Sequence, residues 1–186
     1  MEGVSLKSLR DRPFELLQEL ERRGRAMSAQ AGQEATAGRE WVGVALRMAG
    51  ELFLAAREET REVLSIPGAM TRVPGAKPWI RGLANVRGQL LPIVDLRQFI
   101  GSGVAPATRN TRIVVVNHRE IPAGLLVDEV LGFRRFAETE FSGDVPPTVA
   151  RCERYLAGAF RRGQEQWPVL SLRQVLESPA FAEAAA

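Results

Sequence analysis

An internal repeat, offset by 76 residues, restricts the fold of this chain more than any other feature of its sequence. Residues 79–100 align with residues 155–176 without a gap, with five identities in 22 positions. The identical residues are Gly82 and Gly158, Pro92 and Pro168, and the Leu-Arg-Gln strings at 96–98 and 172–174. A second match, at a slightly different offset, pairs Glu62-Val63-Leu64 with the identical tripeptide Glu129-Val130-Leu131. Duplication explains these matches better than chance does, and it predicts two similar lobes.

Short apolar runs predict a mainly β protein. From Trp41 to Met48 the residues alternate as in a half-buried strand, and Ala49-Gly50 supplies a turn into a second strand. Further strands are predicted in pairs around short turns: 83–86 with 90–94, and 113–116 with 124–127. Helices are confined to short connectors, at 96–100 and 172–176. Many short strands at even spacing, together with the repeat, predict two small barrels rather than an α/β fold.

The N-terminal region has a different pattern. Residues 1–27 carry Phe14, Leu17 and Leu20 at helical spacing among charged residues, which predicts a helical arm. Its apolar stripe is short, so this helix needs to dock on the body of the protein or on a partner to be stable. Residues 28–40 are small, polar and rich in glycine and alanine, which predicts a flexible linker.

Charge and cysteine content narrow the class of protein. Lysine and arginine total 25 against 22 acidic residues, and the acidic residues are interspersed throughout. A nucleic-acid-binding surface would be a denser, one-sided basic stripe, so that function is disfavoured and stays open only as an alternative. The single cysteine, Cys152, cannot form an intramolecular disulfide, and no apolar run approaches the ~18–20 residues of a membrane helix. We therefore expect a cytoplasmic protein.

Side chains suited to catalysis are scarce. His118 is the one histidine, and it falls in a predicted hairpin turn, where an exposed structural role is expected. Cys152 has no histidine placed to activate it, which favours a buried, unreactive thiol. Asp95 and Asp128 end apolar strands, where carboxylates commonly accept hydrogen bonds from backbone amides. With no phosphate-binding glycine loop and no set of metal ligands, the sequence predicts a non-enzymatic protein without cofactor or metal.

The string Asn85-Val86-Arg87-Gly88 is the most informative candidate for a binding site. Gly88 suits a tight turn that needs a positive φ, and this turn would present Arg87 at the edge of a lobe. The Arg87 guanidinium can pair with a carboxylate in a bidentate way, and we nominate Glu62 as that carboxylate. Gly82 interrupts a good strand, which indicates a bulge or a close approach of backbone. The alternative for Arg87 and Glu62 is an ordinary exposed ion pair worth ~0–1 kcal/mol.

The run from Thr71 to Arg97 strongly resembles the CheW-like domain family. It contains that family's apolar-x-Gly-x-x-Asn-apolar-Arg-Gly strand pair, followed by apolar-Pro-apolar-apolar-Asp-Leu. The segment Gly124-Leu-Leu-Val-Asp-Glu-Val130 is similar to the second hallmark of the family. The resemblance extends over residues 41–178 and leaves 179–186 as a C-terminal tail. It implies two five-stranded SH3-like β-barrel lobes, interleaved around a shared core, and no catalytic activity.

The resemblance also implies partners and a binding site. Members of the family bridge the cytoplasmic hairpin tip of a methyl-accepting chemoreceptor to the regulatory domain of a CheA-type histidine kinase, itself CheW-like. Carried over to this sequence, the partner-binding residues are Glu62, Val63, Gly82, Asn85, Val86, Arg87, Gly88 and Gly124. The receptor groove is expected between the lobes, near Val63 and residues 85–87.

The sequence departs from the family pattern at two places. Thr60 stands where an aliphatic residue is usual, which predicts a more polar groove. The second repeat reads Arg161-Arg-Gly-Gln164 in place of the Asn-apolar-Arg-Gly string, so the lobes are not interchangeable. The features most similar to adaptors of type IV pilus (twitching motility) systems are the sequence Ala-Asn-Val-Arg-Gly at 84–88, Trp41 and the N-terminal arm. We therefore expect such an adaptor at membrane-anchored receptor arrays, with a flagellar chemotaxis adaptor as the alternative.

Overall fold

The structure is a computed structural model that describes residues 40–183 as eleven strands and three short α-helices. The strands are β1 (Glu40–Met48), β2 (Glu51–Ala56), β3 (Thr60–Ser65), β4 (Ile80–Val86), β5 (Gln89–Asp95), β6 (Arg112–Val116), β7 (Gly124–Val127), β8 (Glu129–Ala137), β9 (Phe141–Ser142), β10 (Leu156–Arg162) and β11 (Glu165–Leu170). The helices are α1 (Leu96–Phe99), α2 (Leu172–Leu176) and α3 (Pro179–Ala182), with single 3-10 turns at Arg57–Glu59, Glu138–Glu140 and Glu153–Tyr155. The mainly β prediction is confirmed.

The ends of the chain bear on three of the sequence-based boundaries. The predicted helical arm, residues 1–27, and residues 28–39 of the predicted linker lie outside the described residues. The predicted tail, by contrast, begins with helix α3, and Phe181 of this helix is buried in the main core. Burial of that aromatic ring gives the start of the tail a structural role.

The strands form two sheets that each combine segments from both halves of the sequence. The six-stranded sheet has the order β8-β1-β2-β11-β10-β9, and the five-stranded sheet has the order β3-β6-β7-β5-β4. Hairpin β1–β2 therefore completes the sheet of the second repeat, through the parallel pair β2–β11. Hairpin β6–β7 completes the sheet of the first repeat, through the parallel pair β5–β7. Neither half of the chain holds a complete sheet.

One sheet has the five strands expected from the sequence and the other has six, and neither is closed by a backbone ladder in the described residues. One sheet has six strands because the two-residue strand β9 extends its edge beside β10. Within residues 40–183, no backbone ladder joins the two outer strands of either sheet to each other. In the five-stranded sheet a side-chain contact bridges the outer strands instead: Arg87 after β4 pairs with Glu62 on β3. In the six-stranded sheet Arg162 on β10, the strand next to outer strand β9, donates to the carbonyl oxygen of Arg135 on outer strand β8. The five-stranded sheet therefore curves until its outer strands approach, and the six-stranded sheet curves until β10 approaches β8.

The repeated segments have the same local geometry, as their alignment predicts. Gly82 and Gly158 have φ values of +144° and +143°, and the strand ladder shifts register beside each of them. A Cβ on Gly82 would lie 2.5 Å from the carbonyl oxygen of Thr71, and one on Gly158 would overlap the carbonyl oxygen of Ser142. The close backbone approach predicted for Gly82 is confirmed, because only glycine fits such a contact at this φ.

The central strands are buried on both faces. On β1, Leu46 faces a core shared by the two sheets, whereas Ala45 faces a second core inside the six-stranded sheet, beside Phe136. On β7, Leu125 faces the shared core and Leu126 a third core, inside the five-stranded sheet. The half-buried pattern predicted for β1 is therefore wrong in its centre, since the curved sheet covers one face and the shared core the other. Full burial of each leucine contributes ~1.5–3 kcal/mol.

Two side chains from distant parts of the sequence cap the N-terminus of α2. Ser171 Oγ accepts a hydrogen bond from the N–H of Gln174 at 3.2 Å. Glu59 accepts hydrogen bonds from Ser171 Oγ at 3.0 Å and from the N–H of Leu172 at 2.6 Å. Because Glu59 lies in the turn between β2 and β3, this cap ties the two sheets together.

An alanine at position 59 is expected to lower the free energy of unfolding by about 1–3 kcal/mol, because a charged acceptor is removed from a helix N-terminus. Urea denaturation measures this change. Glu58→Ala is the matched control, since Glu58 is exposed and its loss should change stability by less than ~0.5 kcal/mol. Equal effects of the two substitutions would contradict the capping role of Glu59.

Arg162 joins β10 to the end of β8 through a compact polar cluster. Its Nε and Nη2 donate to Glu140 Oε1 and Oε2, both at 2.9 Å, and its guanidinium lies 4.4 Å from the centroid of the Phe136 ring. The hydrogen bond from Arg162, together with one from the backbone N–H of Ala137, lowers the pKa of Glu140 to about 2. The carboxylate therefore stays ionised at all but the most acidic pH.

The stabilising contribution of Glu140 is expected to disappear in acid. Its folded-state pKa of about 2 lies below the ordinary value of 4.5, so the contribution is present above pH 4.5 and is lost as the pH falls toward 2. The difference in thermal midpoint between the wild type and Glu140→Gln should therefore shrink over this range. Circular dichroism melts at stepped pH values test it, and a pH-independent difference would show that the ionised carboxylate is not the stabilising species.

Candidate functional site

The β4–β5 turn holds Arg87 at the surface in a conformation that arginine rarely adopts. Arg87 has a φ of +50° and Gly88 a φ of +82°, two successive positive values that are typical of a type I′ hairpin turn. Asn85 Oδ1 accepts a hydrogen bond from the N–H of Gly88 at 2.9 Å. The positive φ predicted for Gly88 is confirmed. In the second repeat the position of Arg87 is occupied by Gly163, with a φ of +62°, so that turn presents no side chain there.

Arg87 and Glu62 form the ion pair that the sequence indicates. Arg87 Nη2 lies 3.0 Å from Glu62 Oε2, and the two side chains are 78% and 20% exposed. A second cross-strand contact runs beside it, from Arg61 Nη1 to Gln89 Oε1 at 3.3 Å. An ion pair this exposed contributes only ~0–1 kcal/mol to stability. Stability alone therefore gives a weak reason for an arginine at this turn.

The predicted binding residues divide into two groups. Six lie around the seam between β3 and the β4–β5 turn: Glu62, Val63, Asn85, Val86, Arg87 and Gly88. Gly82 and Gly124 are buried. A Cβ on Gly124 would lie 2.7 Å from Ile113 Cγ2, so this glycine permits close packing inside the sheet. The two glycines thus lie inside the fold, whereas the six seam residues are exposed or half-buried.

A groove of about 480 Å³ adjoins the seam, between β3 and β8. Val63 and Phe133 line it as exposed apolar side chains, 38% and 62% accessible. Charged side chains surround them, namely Arg57, Glu58, Arg61 and Glu62. Exposed apolar side chains with a charged rim are typical of a protein-binding surface.

Phe133 is the residue of this groove that sequence reasoning missed. The ladder between β8 and β1 shifts register beside Gly132, whose φ is +95°. At this bulge Phe133 is left exposed, whereas Phe136 of the same strand is buried in the six-stranded sheet. The signal that points to such a bulge is an isolated glycine inside an apolar strand.

Thr60 lines the same groove, at the position where the sequence predicts added polarity. Its hydroxyl donates a hydrogen bond to the carbonyl oxygen of Ala56 at 3.3 Å. The donor is thus used within the fold, which leaves the hydroxyl oxygen as the polar atom available to the groove.

The side chains considered for catalysis have structural surroundings. Cys152 is buried, and burial raises the pKa of its thiol. His118 lies in the β6–β7 turn as predicted, but its side chain is only 14% exposed rather than open to solvent. The reason is that its Nδ1 accepts the N–H groups of Glu120 and Ile121 while its Nε2 donates to Glu177. Among residues 40–183 no three His, Cys, Asp or Glu side chains are grouped to hold a metal ion.

In the described part of the chain, none of the helices has the length and apolar character needed to cross a membrane.

Comparisons with known proteins identify relatives over most of the chain. The family model for the CheW-like domain matches residues 43–180. Protein PilI of Pseudomonas aeruginosa is 38% identical over 173 residues, which cover 93% of this chain and 96% of that protein. Protein FrzA of Myxococcus xanthus is 31% identical over 125 residues, 65% of this chain and 76% of that protein.

A solved structure shares the fold. The scaffolding protein TtCheW from Thermoanaerobacter tengcongensis matches with a TM-score of 0.65 at 23% sequence identity, over 76% of this chain and 96% of its own. The family match spans strands of both sheets and includes the Arg87–Glu62 seam. The resemblance found in the run from Thr71 to Arg97 is confirmed, and this chain belongs to the CheW-like domain family.

Proposed function

We propose that this chain is a non-catalytic adaptor that couples the cytoplasmic hairpin tip of methyl-accepting chemoreceptors to the regulatory domain of a CheA-type histidine kinase. Proteins of the CheW-like family are scaffold adaptors of chemosensory systems and are generally non-catalytic. The observation that carries the proposal is the exposed Arg87–Glu62 seam beside the groove of Val63 and Phe133. Such an adaptor acts in the cytoplasm, at membrane-anchored receptor arrays.

The geometry of the seam and groove suits a helical partner. An amphipathic helix binds by laying its apolar face into an apolar groove, and Val63 and Phe133 provide that contact. Arg87, 78% exposed, can meanwhile bind a carboxylate on the flank of the helix. Each contact of this kind is weak, and repetition across an array raises the total affinity.

Bridging requires a second contact surface away from the seam. Exposed apolar residues occur in the segment between β9 and β10, where Val145 and Val149 are 42% and 76% exposed. This segment is the candidate for the second contact surface, because it exposes two apolar side chains within five residues.

Within chemosensory systems, we infer that the adaptor serves type IV pili and twitching motility. The similarity to PilI over nearly the whole of both chains supports this branch, and the similarity to FrzA supports a non-flagellar system. Deletion of the gene should then abolish twitching and leave swimming unchanged. The reverse phenotype would assign the adaptor to a flagellar chemotaxis array.

The nucleic-acid-binding alternative has little support from the aromatic residues. A single-strand-binding surface uses aromatic side chains as stacking platforms on an open sheet. Trp41, Trp79 and Trp167 instead pack against the apolar cores.

Co-purification tests the bridging function directly. The full chain should bind a receptor cytoplasmic hairpin alone, the kinase regulatory domain alone, and both together in one complex. Binding to neither partner would overturn the proposed function, and binding to one only would remove the bridging step.

A further inference from the structure

A small pocket lies beside the Arg87–Glu62 ion pair and shares Arg61 and Glu62 with the open groove. It has a volume of about 90 Å³, and its apolar lining is Val86, Leu91 and Val115. Leu91 and Val115 belong to the core of the five-stranded sheet and are 4% and 3% exposed. The pocket therefore reaches from the seam to the edge of this core.

The size of the pocket selects the kind of group that it can hold. A cavity of about 150 Å³ lined by aliphatic residues holds a six-carbon benzene molecule. By proportion, a pocket of about 90 Å³ has room for roughly three to four carbon atoms. That is the size of a valine or leucine side chain.

The polar residues around the pocket determine which charge a ligand carries next to that aliphatic group. Arg61, Glu62, Arg87 and Gln89 surround it, with Arg87 paired to Glu62 and Arg61 hydrogen-bonded to Gln89. The rim thus has a net positive charge at neutral pH, and the 78% exposed Arg87 can bind a second carboxylate without leaving Glu62. A matching ligand carries a carboxylate beside its aliphatic group.

We propose that this pocket is a socket for one valine or leucine side chain of the receptor hairpin, with an adjacent Asp or Glu of the receptor paired to Arg87. This inference rests on the proposed function and adds the chemistry of the receptor contact. The contiguous position of the pocket, seam and groove supports a single receptor helix as the occupant, because Glu62 lines both the pocket and the groove.

Filling the socket from within tests the proposal. In Val86→Leu one methylene is added at a half-buried position on the pocket wall, where the flexible side chain can turn inward. One methylene in an apolar pocket changes binding by roughly tenfold or more. The Kd of the full chain for a purified receptor cytoplasmic hairpin is therefore expected to rise about tenfold, while the thermal midpoint stays at or above the wild-type value.

A matched control and a second measurement separate the socket from other effects. Val104→Leu makes the same change at a 52% exposed position outside the site, and it should leave the Kd unchanged. In the wild type, the methyl NMR signals of Val115 should shift when the hairpin is added, because a side chain entering the pocket contacts that residue. This measurement decides the question even if Val86→Leu fails to fold.

The outcomes distinguish the two levels of the proposal. No binding of the hairpin to the wild-type chain overturns the proposed function. Binding that is equally tight for the wild type and Val86→Leu, with Val115 signals unmoved, overturns the socket and leaves the adaptor function standing.

Discussion

An Arg87→Asn variant is expected to bind the chemoreceptor hairpin about thirtyfold more weakly than the wild type. A central arginine at a protein interface commonly contributes ~2 kcal/mol, which corresponds to roughly thirtyfold in Kd. Arg87 is 78% exposed, and its pairing with Glu62 leaves most of the guanidinium open to a partner. Isothermal titration calorimetry with the purified hairpin measures the change.

The same substitution is not expected to lower stability. Arg87 has a φ of +50°, a region in which asparagine is tolerated and most other residues are strained. Loss of the exposed ion pair costs ~0–1 kcal/mol, and relief of the strain is of similar size with the opposite sign. The free energy of unfolding should therefore stay the same or rise by up to about 1 kcal/mol, as measured by urea denaturation.

Arg109→Asn is the control for this experiment, because Arg109 is an exposed arginine outside the seam. Its Kd should stay within about twofold of the wild type. A folded Arg87→Asn protein that binds as tightly as the wild type would falsify the role of Arg87. Weaker binding accompanied by an equal loss of stability would instead assign Arg87 to the fold.

The features that the sequence predicts well are those set by neighbouring residues. The β4–β5 hairpin follows from local turn chemistry, since Asn85 and Gly88 form the turn through their own hydrogen bond. The ion pair between Arg87 and Glu62 follows from the tight turn, which presents Arg87 at an edge, and from the family resemblance, which makes Glu62 its partner. The equivalence of Gly82 and Gly158 is visible in the alignment because glycine is required at both positions.

Features that depend on distant residues escape such reasoning. Strand β1 pairs with β8 in the six-stranded sheet, with Leu46 opposite Val130. No local sequence pattern indicates which sheet β1 joins. Glu59 reaches the N-terminus of α2 from 112 positions away in the sequence, so its capping role appears only in three dimensions. The outer strands of the five-stranded sheet meet through the Arg87–Glu62 ion pair rather than through a backbone ladder, which the strand count alone does not indicate.

Phe133 is expected to be the largest apolar contribution to receptor binding. In Phe133→Ala, a 62% exposed ring is removed from the groove, so binding should weaken about tenfold or more, since aromatic residues dominate interface energies. The free energy of unfolding should change by only about 0.5 kcal/mol, because most of the ring is already in water. Titration calorimetry and urea denaturation of the same preparation give both values.

Phe136 is the comparison residue for Phe133, because the two phenylalanines lie on the same strand and differ in exposure. It lies three residues further along β8 but is 2% exposed, so Phe136→Ala should lower the free energy of unfolding by about 3–5 kcal/mol. Val149→Ala, at a 76% exposed position away from the groove, should affect neither stability nor receptor binding. If Phe133→Ala behaves like Val149→Ala in the binding assay, the receptor does not use this groove. If it behaves like Phe136→Ala in denaturation, the ring supports the fold, and the bulge at Gly132 has no binding role.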